Sequence, residues 1–183
     1  MSVRYAAALS AVLAVLVMSS LVSAPAFAQS GETRPIQLSL VHPVQLFPAE
    51  TSVTGIRLNL IYGVNRDLTG IDLGLANRTT GAAAGVQWGL IGMADGGLLG
   101  WQDNVINLTK ERFDGLQSGL YNQTATAYGI QWGFVNVSES FSGLQVGFVN
   151  MTRDMNGLQI GLVNVIRSKD SLPVLPIVNW RFD

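Results

Sequence analysis

Few residues in this chain have the chemistry that catalysis needs. His42 is the only histidine, it lies beside Pro43, and the chain has no cysteine. A Ser/His/Asp triad would have to use His42, and the sequence has no G-x-S-x-G nucleophile motif. This histidine is more typical of a surface or cap residue than of a catalyst. The sequence therefore predicts a non-enzymatic protein, without a cofactor or a metal site.

Two aspartates depart from a pattern that otherwise repeats. Asp72 stands where most copies have Gln, and Asp103, followed by Asn104, stands where most copies have an apolar residue. Such carboxylates could form a polar or ion-binding site. Local decay of the repeat, with a bulge that turns Asp103 outward, is the simpler interpretation.

Two series of amide side chains recur along the chain. The glutamines are Gln87, Gln102, Gln117, Gln131, Gln145 and Gln159, and the asparagines are Asn107, Asn122, Asn136, Asn150 and Asn164. We expect the glutamines to form a flat, exposed interaction face for a partner protein, a second copy of the chain or an envelope polymer. We expect the asparagines to stack at a corner, since Asn tolerates left-handed backbone.

The amides and glycines belong to a tandem repeat. Glycine recurs with a period of 15 at Gly55, Gly70, Gly85, Gly100 and Gly115. From Gly115 the period shortens to 14, through Gly129, Gly143 and Gly157. Residues 143–150 read GLQVGFVN and residues 157–164 read GLQIGLVN. Internal periodicity of this kind predicts a repeat architecture.

Each copy alternates apolar and polar residues. Leu144, Val146 and Phe148 are separated by Gln145 and Gly147, a period of two that predicts a β-strand with one buried face. We expect the apolar residues to face inward, together with Trp88 and Trp132. Outward tryptophans would instead favour carbohydrate binding. A lone apolar residue two places before the next Gly, as at Phe141, should fold back over the core.

Two all-β folds fit this repeat. The first is a β-solenoid of about ten short coils, in which like residues stack about 4.8 Å apart. The second is a ten-stranded up-and-down β-barrel in an outer membrane, because strands of about 9–11 residues with short turns also fit the interval. The solenoid is favoured, since a barrel lumen lined by glycine would be poorly filled.

The prolines divide the chain. Beyond Ala28 they lie only at Pro35, Pro43, Pro48, Pro173 and Pro176. Because proline cannot donate to a sheet ladder, its absence from the middle predicts one continuous hydrogen-bonded array. The predicted segments are an N-terminal flank and cap at 29–54, tandem repeats at 55–170 and a C-terminal cap at 171–183.

The segment 1–28 resembles an export signal. Arg4 precedes an uncharged apolar run from Tyr5 to Met18, and residues 26–28 read AFA before Gln29. This pattern predicts a signal peptide cleaved after Ala28. Export would place the protein in the periplasm, in the outer membrane or on the surface of a bacterium. Without cysteine it is not expected to be a lipoprotein.

The composition of the chain limits the classes of molecule that it could bind. The chain has 183 residues, a net charge of −1, 48% hydrophobic residues and 13% charged residues. This balance argues against a nucleic-acid partner and against a disordered chain. It leaves a protein or an envelope polymer as the candidate partner, and membrane association as an open alternative.

The repeat itself resembles a known family. Tandem G-[LIV]-Q-x-G-[LF]-[VI]-N units and the Pro-rich end at residues 172–182 are similar to bacterial surface-repeat proteins of the leptospiral type. The resemblance covers roughly residues 40–182. It implies an exported surface or envelope-associated protein and supplies no catalytic residues. The function expected is therefore that of a structural or binding module, with an outer-membrane barrel and a carbohydrate-binding module as alternatives.

Overall fold

A computed structural model describes residues 31–182, which form β-structure without a helix. The strands are β1 (Thr33–Val41), β2 (Val44–Gln45), β3 (Ser52–Asn65), β4 (Leu68–Thr79), β5 (Ala82–Ala94), β6 (Gly97–Ile166) and β7 (Val174–Arg181). The predicted signal peptide lies outside the described residues.

The strands wind into a β-solenoid. Four parallel ladders join β1 to β3, β3 to β4, β4 to β5 and β5 to β6, and thereby define five successive turns. Like residues stack in register, as Gly70 on Gly85 and Asp72 on Gln87. Because these neighbours are parallel, the alternative up-and-down arrangement of antiparallel strands is wrong.

A glycine turns the chain at the start of each repeat. Gly143 has a φ of +132°, and a Cβ there would collide with the carbonyl oxygen of Gly129 in the preceding turn. Only glycine satisfies both conditions, since it tolerates positive φ and has no side chain. The repeat interval follows from the need to place one such glycine over another.

Apart from Ala94 and Ile166, the apolar core is a single column along the solenoid axis. It contains the residue two places before each corner glycine and includes Leu98, Phe113, Ala127, Phe141 and Met155, each at most 4% exposed. These residues are buried as predicted, but they form the core themselves and do not cover the alternating apolar residues, which lie outside. Ala127 lies between Phe113 and Phe141, so a small residue accommodates two large neighbours.

Both ends of the array reverse direction. At the N-terminal end β2 pairs antiparallel with β1, and at the C-terminal end β7 pairs antiparallel with β6. Because β7 runs antiparallel to β6, the C-terminal flank is not a further parallel coil of the solenoid. The all-β solenoid is confirmed, whereas ten like coils are not established.

Candidate binding surface

An open apolar groove of about 850 Å³ runs along the outside of the solenoid. Its floor is the glycine column Gly119, Gly133, Gly147 and Gly161. One wall, called here the tryptophan wall, consists of Trp132, Val146 and Ile160, with Ser118 at its start. The opposite wall, called the leucine ridge, consists of Leu120, Phe134, Phe148 and Leu162.

Strand alternation explains the shape of the groove. The missing side chain of Gly147 would point inward, toward the side-chain nitrogen of Asn136 and the side-chain oxygen of Asn150. Its neighbours Val146 and Phe148 therefore point outward, one on each side of the glycine. The asparagine column occupies the space inside, and the glycine column leaves a bare backbone floor outside.

The groove exposes large apolar and aromatic side chains. Trp132 is 66% exposed, Leu120 63% and Phe134 54%. Phe134 and Phe148 stack with ring centroids 4.8 Å apart and an angle of 12° between the planes. A large, contiguous exposed apolar surface usually marks an interaction site.

The leucine ridge extends well beyond the groove. The fifth residue after each corner glycine is apolar and at least 40% exposed in all eight copies of the repeat: Leu60, Leu75, Leu90, Val105, Leu120, Phe134, Phe148 and Leu162. The solenoid therefore presents one uninterrupted apolar ridge over most of its length.

The two ends of the groove differ. At one end the Ser118 hydroxyl donates to Asp103 at 2.6 Å and accepts from the indole nitrogen of Trp101 at 2.9 Å. At the other end Ile177 of β7 pairs with Gly161, and it adopts a φ of +70°, which is rare for a β-branched residue. Its side chain is 68% exposed and lines the end of the groove.

Charged side chains cluster on a different edge of the solenoid. Asp95 accepts from Arg78 at 2.7 Å and pairs with Lys110 at 2.9 Å. Burial raises the pKa of Asp95, but the hydrogen bonds from Lys110 and Arg78 outweigh it and hold that pKa below its ordinary value. The apolar surface and the charged edge are thus segregated.

The predicted glutamine face is wrong, because the glutamines lie inside. All six are at most 2% exposed. Each side-chain nitrogen donates to the acceptor one turn earlier, as Gln131 to Gln117 and Gln145 to Gln131, both at 2.7 Å. A buried amide is tolerated when its hydrogen bonds are satisfied, and an identical amide one turn away satisfies them.

The predicted asparagine ladder is confirmed in part. Asn107, Asn122, Asn136, Asn150 and Asn164 are fully buried, and consecutive members are joined by side-chain hydrogen bonds of 2.7–2.8 Å. The expected left-handed backbone is wrong, because the non-glycine residues of positive φ in residues 31–182 are Leu172 and Ile177. The asparagines also bond to backbone, as Asn150 to the carbonyl of Ile160 at 2.9 Å.

Two copies that look degenerate in the sequence are compensated in space. Asn104 stands where most copies have the floor glycine, and Gly92 stands where most copies have the buried asparagine. The side chain of Asn104 fills the space that the missing side chain of Gly92 leaves. It donates to Asn107 at 2.7 Å. Asn59 fills the space at Gly63 in a similar way, but within one copy. No sequence signal within a single copy would identify the pairing of Asn104 with Gly92.

The remaining candidates are separated from one another. Asp72 is fully buried and forms a two-bond ion pair with Arg57, whereas Asp103 faces the groove end without a register shift in its ladder. His42 lies edge-on to Tyr62, with 6.4 Å between ring centroids. Within residues 31–182 there is no group of three or more His, Cys, Asp or Glu side chains that could hold a metal ion.

The predicted inward orientation of the tryptophans is also wrong. Trp88 is 59% exposed and Trp101 is 43% exposed, like Trp132 on the tryptophan wall. Sequence alternation located these residues on a common face, but it did not show that this face is outside.

No family model matches this chain, and no curated protein or solved structure matches it significantly. In the range 31–182, no helix is long and apolar enough to cross a membrane.

Proposed function

We propose that this chain is a non-enzymatic, exported, envelope-associated repeat protein whose apolar groove is a binding surface. The observation that carries the proposal is the exposed leucine ridge beside a bare glycine floor. Burial of apolar surface contributes about 25 cal/mol per Å², so covering these side chains would drive association. Hydrogen bonds between the buried amides of successive copies hold one turn on the next beneath this surface.

Export and location are proposals that rest on the N-terminal segment 1–28. The uncharged run and the AFA sequence before Gln29 support cleavage by a signal peptidase. The repeat motif supports membership of the leptospiral-type surface-repeat family. An exported protein with such an apolar surface would have access to envelope partners.

We also propose that the proline-containing flanks act as caps. Pro176 lies in β7. One edge of β7 pairs with the last part of β6, and its opposite edge is the end of the sheet. Proline removes a donor from an edge strand and so disfavours end-to-end growth. Side-chain bonds within β6 that join one copy to the next, such as Asn136 to Asn150, support one turn per repeat there and a stack approaching the predicted ten coils.

Thiol accessibility tests whether the groove is covered in the cell envelope. The chain has no cysteine, so Leu120→Cys introduces a single thiol on the leucine ridge. Leu99→Cys is the matched control, because Leu120 is 63% and Leu99 61% exposed, and Leu99 does not line the groove. We expect the thiol at residue 120 to react at least about tenfold more slowly with a maleimide in envelope fractions.

After unfolding in urea, the thiols at residues 120 and 99 should react with the maleimide at equal rates. Equal reactivity in the native envelope fraction would contradict the proposal, because it would show that nothing covers the groove. Recovery of the protein only from the cytoplasm would contradict the proposed location.

A carbohydrate polymer is a second candidate partner. Trp88 and Trp132 are exposed and occupy the same position in their copies of the repeat, three residues after the corner glycine. Asp103 and Ser118 occupy that position in the two copies between them and supply polar groups. Aromatic faces with flanking hydrogen-bond groups suit sugar rings. Cosedimentation with purified envelope polysaccharide, lost in Trp132→Ala but kept in Phe148→Ala, would favour this candidate.

A further inference from the structure

The groove of one copy of the chain has the shape and the period to bind the leucine ridge of another copy. We propose that the occupant of the groove is the leucine ridge of a second copy of this chain, in a two-fold symmetric dimer. This inference rests on the proposed binding function of the groove and names its partner.

The period of the surface favours an identical partner. Successive ridge residues, such as Phe134 and Phe148, belong to neighbouring turns, which are separated by about 4.8 Å. A surface with the same spacing can place one ridge side chain at each floor glycine over the whole length. A second copy of this chain has the same spacing because it has the same fold.

The shape requires one particular symmetry. If the two-fold axis runs parallel to the solenoid axis, each copy can insert its ridge over the glycine floor of the other. If the axis is perpendicular, ridge meets ridge, and neither enters a groove. The parallel arrangement is isologous, so each ridge residue lies level with its own counterpart in the second copy.

The ends of the groove agree with this register. Ile177 projects at the end of the floor, one level beyond Gly161. In the parallel dimer it would lie directly beyond the Leu162 of the other copy and stop the ridges from sliding. The strained backbone at Ile177 holds its side chain at the groove end.

The available area is sufficient for a specific dimer. Eight turns at about 4.8 Å make the ridge about 38 Å long, and five strand residues span a width of about 16 Å. Each copy would then bury about 600 Å², and the pair about 1,200 Å², the lower bound of standard interfaces. The eight ridge positions carry no charge, and Asp103 beside the groove is already hydrogen-bonded to Ser118.

Disulfide crosslinking of the protein as the cell exports it tests the pairing. With a two-fold axis along the solenoid, Leu120→Cys should crosslink to itself under mild oxidation, and so should Leu162→Cys. A mixture of the two variants should give little mixed product, because their turns are about 14 Å apart. Leu99→Cys is the control and should remain monomeric on a non-reducing gel.

A charge on the ridge should separate the copies without unfolding them. Phe148 is 45% exposed in the single chain, so Phe148→Asp leaves the interior unchanged. We expect light scattering to give the dimer mass for the parent and the monomer mass for Phe148→Asp, with the same circular dichroism spectrum. Leu90→Asp provides a second ridge variant, and Leu99→Asp should stay dimeric.

The outcomes distinguish this inference from the proposed function. A protected thiol at residue 120 in the envelope, together with a monomeric protein and no self-crosslink, would overturn the dimer and retain the binding surface. Copurified acyl chains found by mass spectrometry would then identify a lipid as the occupant. Mixed crosslinks between residues 120 and 162 would overturn the parallel arrangement.

Discussion

The side-chain nitrogen of Gln87 donates to a carboxylate oxygen of Asp72 at 2.9 Å, and this bond sets the direction of the whole glutamine ladder. A carboxylate can only accept, so Gln87 must donate toward the N-terminal end of the solenoid. Its own oxygen then accepts from Gln102 at 2.8 Å, and the same orientation continues to Gln159. The apparent substitution at residue 72 therefore orders a buried network.

Arg57 and Asp72 should tolerate joint replacement but not separate replacement. They form bonds of 2.6 and 2.7 Å and are both fully buried. Asp72→Gln would leave the guanidinium without its counter-ion, and Arg57→Gln would leave the buried carboxylate without its own, each at a cost of about 3–5 kcal/mol. The double variant Arg57→Gln with Asp72→Gln continues the glutamine ladder and should recover most of that loss. Denaturant unfolding of the two single variants and the double variant measures the coupling, and additive losses would contradict it.

Breaking the ladder in its middle should destabilise the fold more than changing the surface. Gln145→Met keeps the size but leaves the oxygen of Gln131 and the nitrogen of Gln159 without their ladder partner. Gln131 would still accept from Ser138, and Gln159 would still donate to the carbonyl of Val165. We therefore expect a loss of about 1–3 kcal/mol, from two buried hydrogen bonds worth about 0.5–1.5 kcal/mol each. Val146→Thr on the groove wall should change stability by less than about 0.5 kcal/mol. Equal losses in chemical denaturation would show that the ladder contributes little.

Truncation of two neighbouring phenylalanines should reduce the stability of the fold by very different amounts. Phe141 is 1% exposed in the core column, and Phe148 is 45% exposed on the ridge. Phe141→Ala should cost about 3–5 kcal/mol and lower the melting temperature by about 6–20 °C. Phe148→Ala should have a much smaller effect on the folding of a dilute, monomeric sample. The reverse order in thermal melts would contradict the assignment of inside and outside.

The charged edge should make stability sensitive to acid. The pKa of Asp95 is lower in the folded protein than its ordinary value of 3.8, so the unfolded chain binds the proton more readily. The stabilisation is therefore present above about pH 4 and is lost as the pH falls through the lower folded pKa. Asp95→Asn should show a smaller fall in melting temperature between pH 6 and pH 3 than the parent. Asp170→Asn, at an exposed carboxylate, serves as the control and should behave like the parent.

Export predicts a defined N-terminus. If the signal sequence is cleaved after Ala28, the protein recovered outside the cytoplasm should begin at Gln29. Mass spectrometry of that protein measures the terminus directly, and Ala28→Arg should block cleavage. An intact Met1 on the exported protein would contradict the assignment.

The repeat of glycine and amide residues was sufficient to predict the β-solenoid, its glycine corner and its asparagine ladder. These features depend on residues one period apart, such as Gly129 and Gly143, and a regular period is visible in the chain itself. The exchange of Asn104 and Gly92 was not predictable, because it joins different positions of neighbouring turns.

The sequence alone determined that Gln145 and Val146 point to opposite faces, because successive residues of a strand alternate. Only the tertiary structure decided which face is inside. Hydrophobicity favoured burying Val146, but the stacking of turns gives each glutamine an identical neighbour with which to bond, and so removes the cost of burying its amide. The apolar residues then lie outside, where Phe134 and Phe148 belong to the exposed ridge proposed as the binding surface.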